Sequence, residues 1–258
     1  MTTFALVPGA GTDTWYWGPL IRELTGRGHR AVAADLPCDD DGATLEDYAD
    51  AVVEAVTCCG DLDGGGDPDG GGDPDDLVVV AHSFGGFTAP LVCDRLPVRE
   101  LVLVSAMVPA PAESGSAWWA ATGHSQAALA AQDAKDGRGP DDVVALFYHD
   151  VAEETVAEAL RHEREQSATA FEQPWPRDRW PDVRTRYLLC RDDKLFPSAF
   201  VRTMLARRLR GVVPEAVPGA HHPMLSHPAR LAGALLAGAR PTGALPTGAR
   251  PTGARPTG

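Results

Sequence analysis

Short apolar runs alternate along this chain with amphipathic stretches, and this alternation restricts the fold more than any other feature. Most runs are continuously apolar, which is typical of strands covered on both faces. The six candidate strands are 3–7, 29–34, 77–81, 101–105, 186–190 and 212–217. The candidate helices between and after them are 17–25, 45–57, 87–96, 199–209 and 228–237. This repetition predicts an α/β fold with a mostly parallel six-stranded sheet, right-handed crossovers and flanking helices.

Two segments have compositions that do not fit this fold. Residues 61–76 contain Gly-Gly-Gly-Asp-Pro-Asp twice in tandem, with seven aspartates and Leu62 as the one apolar side chain. Gly-Asp repeats can also bind calcium, but calcium-binding repeats interleave apolar residues that build a core. We therefore expect a flexible acidic loop there. Residues 239–258 repeat Ala-Arg/Leu-Pro-Thr-Gly, which prevents both helix and strand and predicts a disordered tail. Residues 1–238 then have the length of a single α/β domain.

The strand and helix alternation is interrupted after the fourth strand, over roughly residues 108–182. No strand pattern occurs there, while 127–134 and 151–164 have helical patterns. An insertion at this position predicts a helical cap over the carboxyl edge of the sheet, where open α/β folds bind ligands.

The net charge of −13 limits the partners that this chain can have. It arises from 36 acidic against 23 Lys and Arg side chains. Nucleic acids and membrane surfaces require clustered Lys and Arg, so we expect neither, and we expect a small uncharged molecule instead. Five cysteines without metal-site or redox spacing indicate reduced thiols and a cytoplasmic protein. The first residues lack a secretion signal, and no apolar stretch is as long as a membrane span.

Ser83 follows a predicted strand directly and precedes a predicted helix. The run Ala-His-Ser-Phe-Gly-Gly at 81–86 has small residues two positions on either side of the serine, as the nucleophile-elbow motif requires, although alanine stands where the first glycine is usual. A serine before a helix can also be an N-cap without any chemistry. The short run alone leaves both interpretations open.

Candidate acids and bases follow two later strands. Asp192 and Asp193 come after strand 186–190, and His221 and His222 come after the last strand. The chain order of serine, acid and histidine, each on a loop after a strand, is that of α/β-hydrolases.

Several histidines have alternative interpretations. His221, His222 and His227 could together bind zinc, but no carboxylate or cysteine spacing supports a metal site. His82, next to the serine, is interpreted as a packed residue at the end of a strand.

The chain resembles the α/β-hydrolases from Thr3 to Ala237, apart from the acidic loop at 61–76. Within this superfamily it resembles the small branch that includes plant methylesterases and hydroxynitrile lyases. The stretches that carry the resemblance are Val-Pro-Gly-Ala-Gly at 7–11 with Trp-Tyr-Trp at 15–17, Asp-Leu-Pro at 35–37 and Leu-Phe-Tyr-His-Asp at 146–150. The first resembles the oxyanion loop of that branch, with Pro8 where a histidine is usual.

The resemblance implies a catalytic triad of Ser83, His221 and Asp193. The family spacing of the acid before a proline, here Pro197, selects Asp193 over Asp192. The spacing of the base before Leu225 selects His221 over His222 and His227. Ser83 would be the nucleophile, His221 the base that activates it, and Asp193 the group that orients the imidazole.

The resemblance also implies how a substrate would be held. The backbone N–H groups of Ala10 and Phe84 would form the oxyanion hole. Gly9 would line the substrate pocket. The aromatic residues of the cap are more often the core of a small subdomain than pocket walls, and among them we expect Trp118 or Trp119 to contact the substrate. No metal or other cofactor is implied.

The implied reaction is hydrolysis of small carboxylic esters through an acyl-enzyme. Hydroxynitrile lyases of this branch carry a threonine in the oxyanion loop and a lysine after the catalytic histidine, where this chain has Gly9 and His222. A cofactor-free lyase or C–C hydrolase using the same triad, and a non-catalytic ligand-binding scaffold, stay open as alternatives. The sequence indicates neither the identity of the substrate nor the oligomeric state.

Overall fold

The structure, a computed structural model, describes residues 1–61, 76–124 and 142–238. Six strands form one sheet: β1 (Thr3–Val7), β2 (Arg30–Ala33), β3 (Leu77–His82), β4 (Val98–Val104), β5 (Arg184–Cys190) and β6 (Glu215–Val217). Their order is β2-β1-β3-β4-β5-β6, and every pairing between them is parallel. The predicted six-stranded α/β sheet is therefore confirmed, with parallel pairing throughout rather than for most strands.

Helices cover both faces of this sheet. Those that the structure describes are α1 (Gly18–Thr25), α2 (Leu45–Asp61), α3 (Gly85–Val92), α4 (Gly115–Thr122), α5 (Val143–Phe147), α6 (Glu153–Ala159), α7 (Ala168–Glu172), α8 (Ser198–Arg208), α9 (Pro223–Ser226) and α10 (Pro228–Gly238), with a 3-10 turn at Thr14–Trp17. Ala5 and Val7 of β1 belong to one buried cluster, while Phe4 and Leu6 belong to the other. Alternate residues of a strand face opposite sides, so two covered faces explain the continuously apolar runs.

Some element boundaries differ from the predictions. β6 was predicted over 212–217 but begins at Glu215, directly after Pro214, which has no N–H to donate to a neighbouring strand. α3 begins at Gly85, two residues earlier than predicted, because it follows the turn at Ser83 at once. The helix predicted over 151–164 is shorter, at Glu153–Ala159.

Some predictions fall on residues that the structure does not describe. The helix predicted at 127–134, the tail at 239–258 and almost all of the acidic loop at 61–76 lie outside the described residues. No described helix is both long enough and apolar enough to cross a membrane.

The segment between β4 and β5 contains four short described helices, α4 to α7, at the position predicted for the cap. It is joined to the loop after β1. The N–H of Arg164 donates to the carbonyl oxygen of Gly11 at 2.8 Å, and Thr12 forms an isolated antiparallel bridge with Glu163. The cap segment before α7 therefore lies directly against the loop that contains Gly9 and Ala10.

Candidate active site

Ser83 lies at the turn between β3 and α3, with a positive backbone φ of 51°. Residues other than glycine rarely adopt this conformation, so its surroundings must hold it. The carbonyl oxygen of Ser83 accepts hydrogen bonds from the N–H groups of Gly86 at 3.2 Å and Met107 at 2.9 Å. A Cβ atom on Gly86 would collide with the carbonyl oxygen of Met107, which is why glycine is required there. The turn thus presents the serine at the carboxyl edge of the sheet.

The side chains of Ser83, His221 and Asp193 form a hydrogen-bonded series. Oγ of Ser83 lies 3.1 Å from Nε2 of His221, and Nδ1 of His221 lies 2.9 Å from Oδ2 of Asp193. A carboxylate only accepts hydrogen bonds, so Nδ1 carries the proton and Nε2 keeps a lone pair for the serine hydroxyl. The N-cap interpretation of Ser83 is contradicted, because Phe84 occupies the capping position of α3 and no side chain caps that helix.

Asp193 is buried and held from two sides. Its Oδ1 accepts hydrogen bonds from the N–H groups of Leu195 at 2.8 Å and Phe196 at 3.0 Å, while Oδ2 faces His221. Burial acts to raise the pKa of Asp193, but the adjacent His221 and the hydrogen bonds outweigh it and lower the pKa below its ordinary value. Asp192, by contrast, is exposed. Of the two neighbouring carboxylates, the structure brings Asp193 to the histidine.

Two further histidines are buried beside the series. His82 donates its Nε2–H to the carbonyl oxygen of His221 at 2.8 Å, and burial lowers the pKa of His82 to about 3. His222 stacks against Tyr148 with ring centroids 4.8 Å apart, and burial lowers its pKa well below the ordinary value. Both imidazoles are therefore neutral at physiological pH, and neither has a hydrogen bond to the Ser83 hydroxyl.

The zinc alternative has no support among the described residues. No group of three or more His, Cys, Asp or Glu side chains in that part of the chain could hold a metal ion. His227 hydrogen-bonds Oγ of Ser226 and lies 3.6 Å from Oδ2 of Asp150, while His221 faces Asp193.

A cavity of about 440 Å³ lies in front of Ser83. Its described lining includes Gly9, Ala10, Phe84 and Trp119, all of which were predicted to contact a substrate. Lining residues that the sequence did not single out for the pocket include Thr12, Met107, Leu146, Phe147, Tyr148, Glu163, Arg164 and Phe171. Of these, Leu146, Phe147 and Tyr148 fall within the stretch 146–150 that carries part of the family resemblance.

Trp118 does not line this cavity, which corrects the expectation that it would. Its side chain is fully buried, and its indole N–H donates to the carbonyl oxygen of Val108 at 2.9 Å. Its ring packs against Phe196 and Phe200. Trp118 is therefore a core residue beside the acid loop, while the adjacent Trp119 faces the cavity.

A sequence model of the alpha/beta hydrolase family matches residues 4–234. The chain belongs to this family. Among curated relatives, it is 30% identical to Methylesterase 7 of Arabidopsis thaliana over 115 residues, 41% of this chain and 40% of that protein. The matched part thus spans about two-fifths of the length of that relative. Methyl jasmonate esterase 1 of Vitis vinifera is 25% identical over 254 residues, 86% of this chain and 91% of that protein.

Solved structures show the same hydrolase fold. Polyneuridine aldehyde esterase superposes with a TM-score of 0.71 at 21% identity, covering 93% of this chain and 100% of that one. A pyrethroid hydrolase from Sphingobium faniae JZ-2 superposes with a TM-score of 0.67 at 20% identity, covering 92% and 97%. These structures show the fold, and the curated relatives confirm the resemblance to the methylesterase-like branch of the alpha/beta hydrolases.

Proposed function

We propose that this alpha/beta hydrolase family member hydrolyses small carboxylic esters through an acyl-enzyme on Ser83. One observation carries the proposal: the hydrogen-bonded series of Ser83, His221 and Asp193 at the wall of a cavity of small-molecule size. The similarity to proteins named methylesterase and methyl jasmonate esterase supports the same class of reaction.

In the first half of the reaction, Oγ of Ser83 attacks the ester carbonyl carbon. The hydroxyl proton passes to Nε2 of His221, which lies 3.1 Å away and carries the lone pair. Asp193 stabilises the imidazolium that forms, since its lowered pKa keeps it ionised. His221 then returns the proton to the departing alcohol, which leaves Ser83 acylated.

In the second half, water repeats the same steps. His221 accepts a proton from a water molecule, the resulting hydroxide attacks the acyl carbon, and the proton returns to Oγ of Ser83 as the carboxylic acid leaves. The base therefore ends each cycle in its starting protonation state.

The negative charge on the carbonyl oxygen in both halves requires donors that are already in position. We assign them to the backbone N–H groups of Ala10 and Phe84, both of which line the cavity beside Ser83. Each such donor is worth roughly 3 kcal/mol of barrier. The absence of a side chain at Gly9 supports close approach, because a Cβ there would lie 3.0 Å from Cβ of Ser83.

The test is covalent labelling together with a panel of aryl esters. A fluorophosphonate should add one group to the protein, and peptide mapping should place it on Ser83. Ser83→Ala should abolish labelling and lower kcat by about 10⁴-fold or more.

Ser116→Ala, at a serine outside the described cavity lining, is the matched control and should keep labelling and turnover. If Ser83→Ala turned esters over at the wild-type rate, the proposal would be wrong. If the wild-type protein bound esters without turnover or labelling, it would be a binding scaffold instead.

A further inference from the structure

Glu163 lines the cavity in front of Ser83 and is itself exposed, so its carboxylate lies at the open side of the site. Its backbone is held by the bridge to Thr12, and its Oε1 accepts a hydrogen bond from the Tyr148 hydroxyl at 3.0 Å. Thr12 and Tyr148 line the same cavity. The position of the carboxylate is thus defined by two contacts inside the site.

No described cation neutralises this carboxylate. Among the described lining residues, Arg164 is the one Lys or Arg, and its guanidinium pairs with Asp35 at 2.7 Å and Asp39 at 2.5 Å. Of the three histidines that line the cavity, His221 is paired with Asp193, while His82 and His222 are buried and neutral. Among the cavity residues that the structure describes, the fixed charge of Glu163 therefore has no counter-ion.

Five aromatic residues contribute to the described lining of the cavity. Phe84, Trp119, Phe147, Tyr148 and Phe171 all line it. The face of an aromatic ring attracts a cation, and quaternary ammonium groups are the ligands that aromatic cages bind best. A carboxylate and aromatic rings in one cavity are together suited to an ammonium group, and they disfavour an anionic one.

We infer that the cavity selects esters that carry an ammonium group, with Glu163 as the residue that recognises the positive charge. This inference rests on the proposed ester hydrolysis and adds a substrate class to it. It differs from the expectation of an uncharged partner drawn from net charge, because it depends on one exposed carboxylate that lines the cavity rather than on the total charge of the chain.

The test compares two esters of the same shape. Butyrylcholine and 3,3-dimethylbutyl butyrate differ in that a quaternary nitrogen replaces a carbon, so the ratio of their kcat/KM values isolates the charge. We expect a ratio of about 10 in favour of the cationic ester, as for a partly screened charge pair. Glu163→Gln, which keeps a hydrogen-bonding side chain for Tyr148, should bring the ratio close to 1.

Glu165→Gln is the matched control, because Glu165 is exposed like Glu163 but lies outside the described cavity lining. It should keep the wild-type ratio. A rise in ionic strength to 0.5 M NaCl shortens the screening length roughly threefold relative to dilute buffer. It should therefore lower the ratio of the two kcat/KM values in the wild-type protein. Equal kcat/KM values in the wild-type protein, or the same ratio in Glu163→Gln, would overturn the inference.

Binding without turnover separates the two proposals. Choline and 3,3-dimethylbutan-1-ol are titrated calorimetrically into the wild-type protein and Glu163→Gln. Tighter binding of choline, by about tenfold and in the wild-type protein alone, supports the ammonium site even if no ester is hydrolysed. Equal binding of both alcohols refutes the ammonium site and leaves ester hydrolysis to be judged by the labelling of Ser83.

Discussion

Nε2 of His82 donates a hydrogen bond of 2.8 Å to the backbone carbonyl oxygen of His221. The residue before the candidate nucleophile therefore holds the main chain of the candidate base. Because the acceptor is a carbonyl oxygen, the proton of His82 must be on Nε2, and Nδ1 faces Gly9, where a Cβ would lie 3.1 Å away. One buried imidazole thus connects the end of β3, the base loop and the oxyanion loop.

Removal of this donor should affect turnover more than binding. In His82→Phe the carbonyl oxygen of His221 loses its partner, and a small shift of the imidazole away from Ser83 should lower kcat by roughly 10- to 100-fold with little change in KM. His82→Gln, whose amide can donate to the same carbonyl oxygen, should recover most of kcat. The measurement is kcat and KM for an aryl ester from pH 5 to 9. Wild-type kcat in His82→Phe would show that the contact does not position the base.

His82 should also make the fold sensitive to acid. Its pKa is about 3 in the folded protein against 6.5 in an unfolded chain, so the unfolded state binds the extra proton between these values. The contribution of neutral His82 to the free energy of unfolding is complete above pH 6.5. It is lost as the pH falls toward 3, at about 1.4 kcal/mol per pH unit. The free energy of unfolding measured with urea should be lower at pH 5 than at pH 7, and His82 should account for about 2 kcal/mol of this difference. His82→Gln should reduce the loss by that amount, and an unchanged pH dependence would contradict this assignment.

The candidate triad residues could be predicted because each follows a strand, and because the family spacing selects Asp193 and His221 from their neighbours. In a parallel sheet, the loops after successive strands meet at one edge, so Ser83, Asp193 and His221 were expected to converge there. Neighbouring residues of the same type were harder to distinguish as candidates for one role. Asp192 and Asp193 differ in that the second is held by the N–H groups of two following residues, a contact that depends on the loop conformation.

The cavity wall could not be predicted in the same way. Trp118 and Trp119 are consecutive on α4 and face different directions, and sequence alone does not indicate which direction leads to the core. Glu163 reaches the cavity through its bridge to Thr12, a contact between residues far apart in the chain. The first residue of β6 depends on Pro214, which has no N–H to donate to a neighbouring strand.

Asp193→Asn should disable the base without unfolding the site. Oδ1 of Asp193 accepts two backbone N–H groups, so the amide oxygen of asparagine takes that position and its NH₂ group faces Nδ1 of His221. Nδ1 must then accept, the proton moves to Nε2, and the lone pair needed by Ser83 is lost. We expect kcat to fall by about 10³- to 10⁴-fold. Asp192→Asn, at the exposed neighbour, should stay within twofold of wild type, and equal losses in the two variants would contradict the choice of acid.

Trp118 and Trp119 should give opposite results when each is changed to phenylalanine. Trp118→Phe removes the indole N–H that donates to Val108 and leaves space in a fully buried site, so it should lower the free energy of unfolding by about 1–3 kcal/mol. Trp119→Phe changes a partly buried cavity residue and should alter KM for bulky esters while costing less than about 1 kcal/mol. Urea unfolding and Michaelis–Menten kinetics on both variants provide the comparison. A large KM change in Trp118→Phe with unchanged stability would show that Trp118 contacts the substrate and is not a core residue.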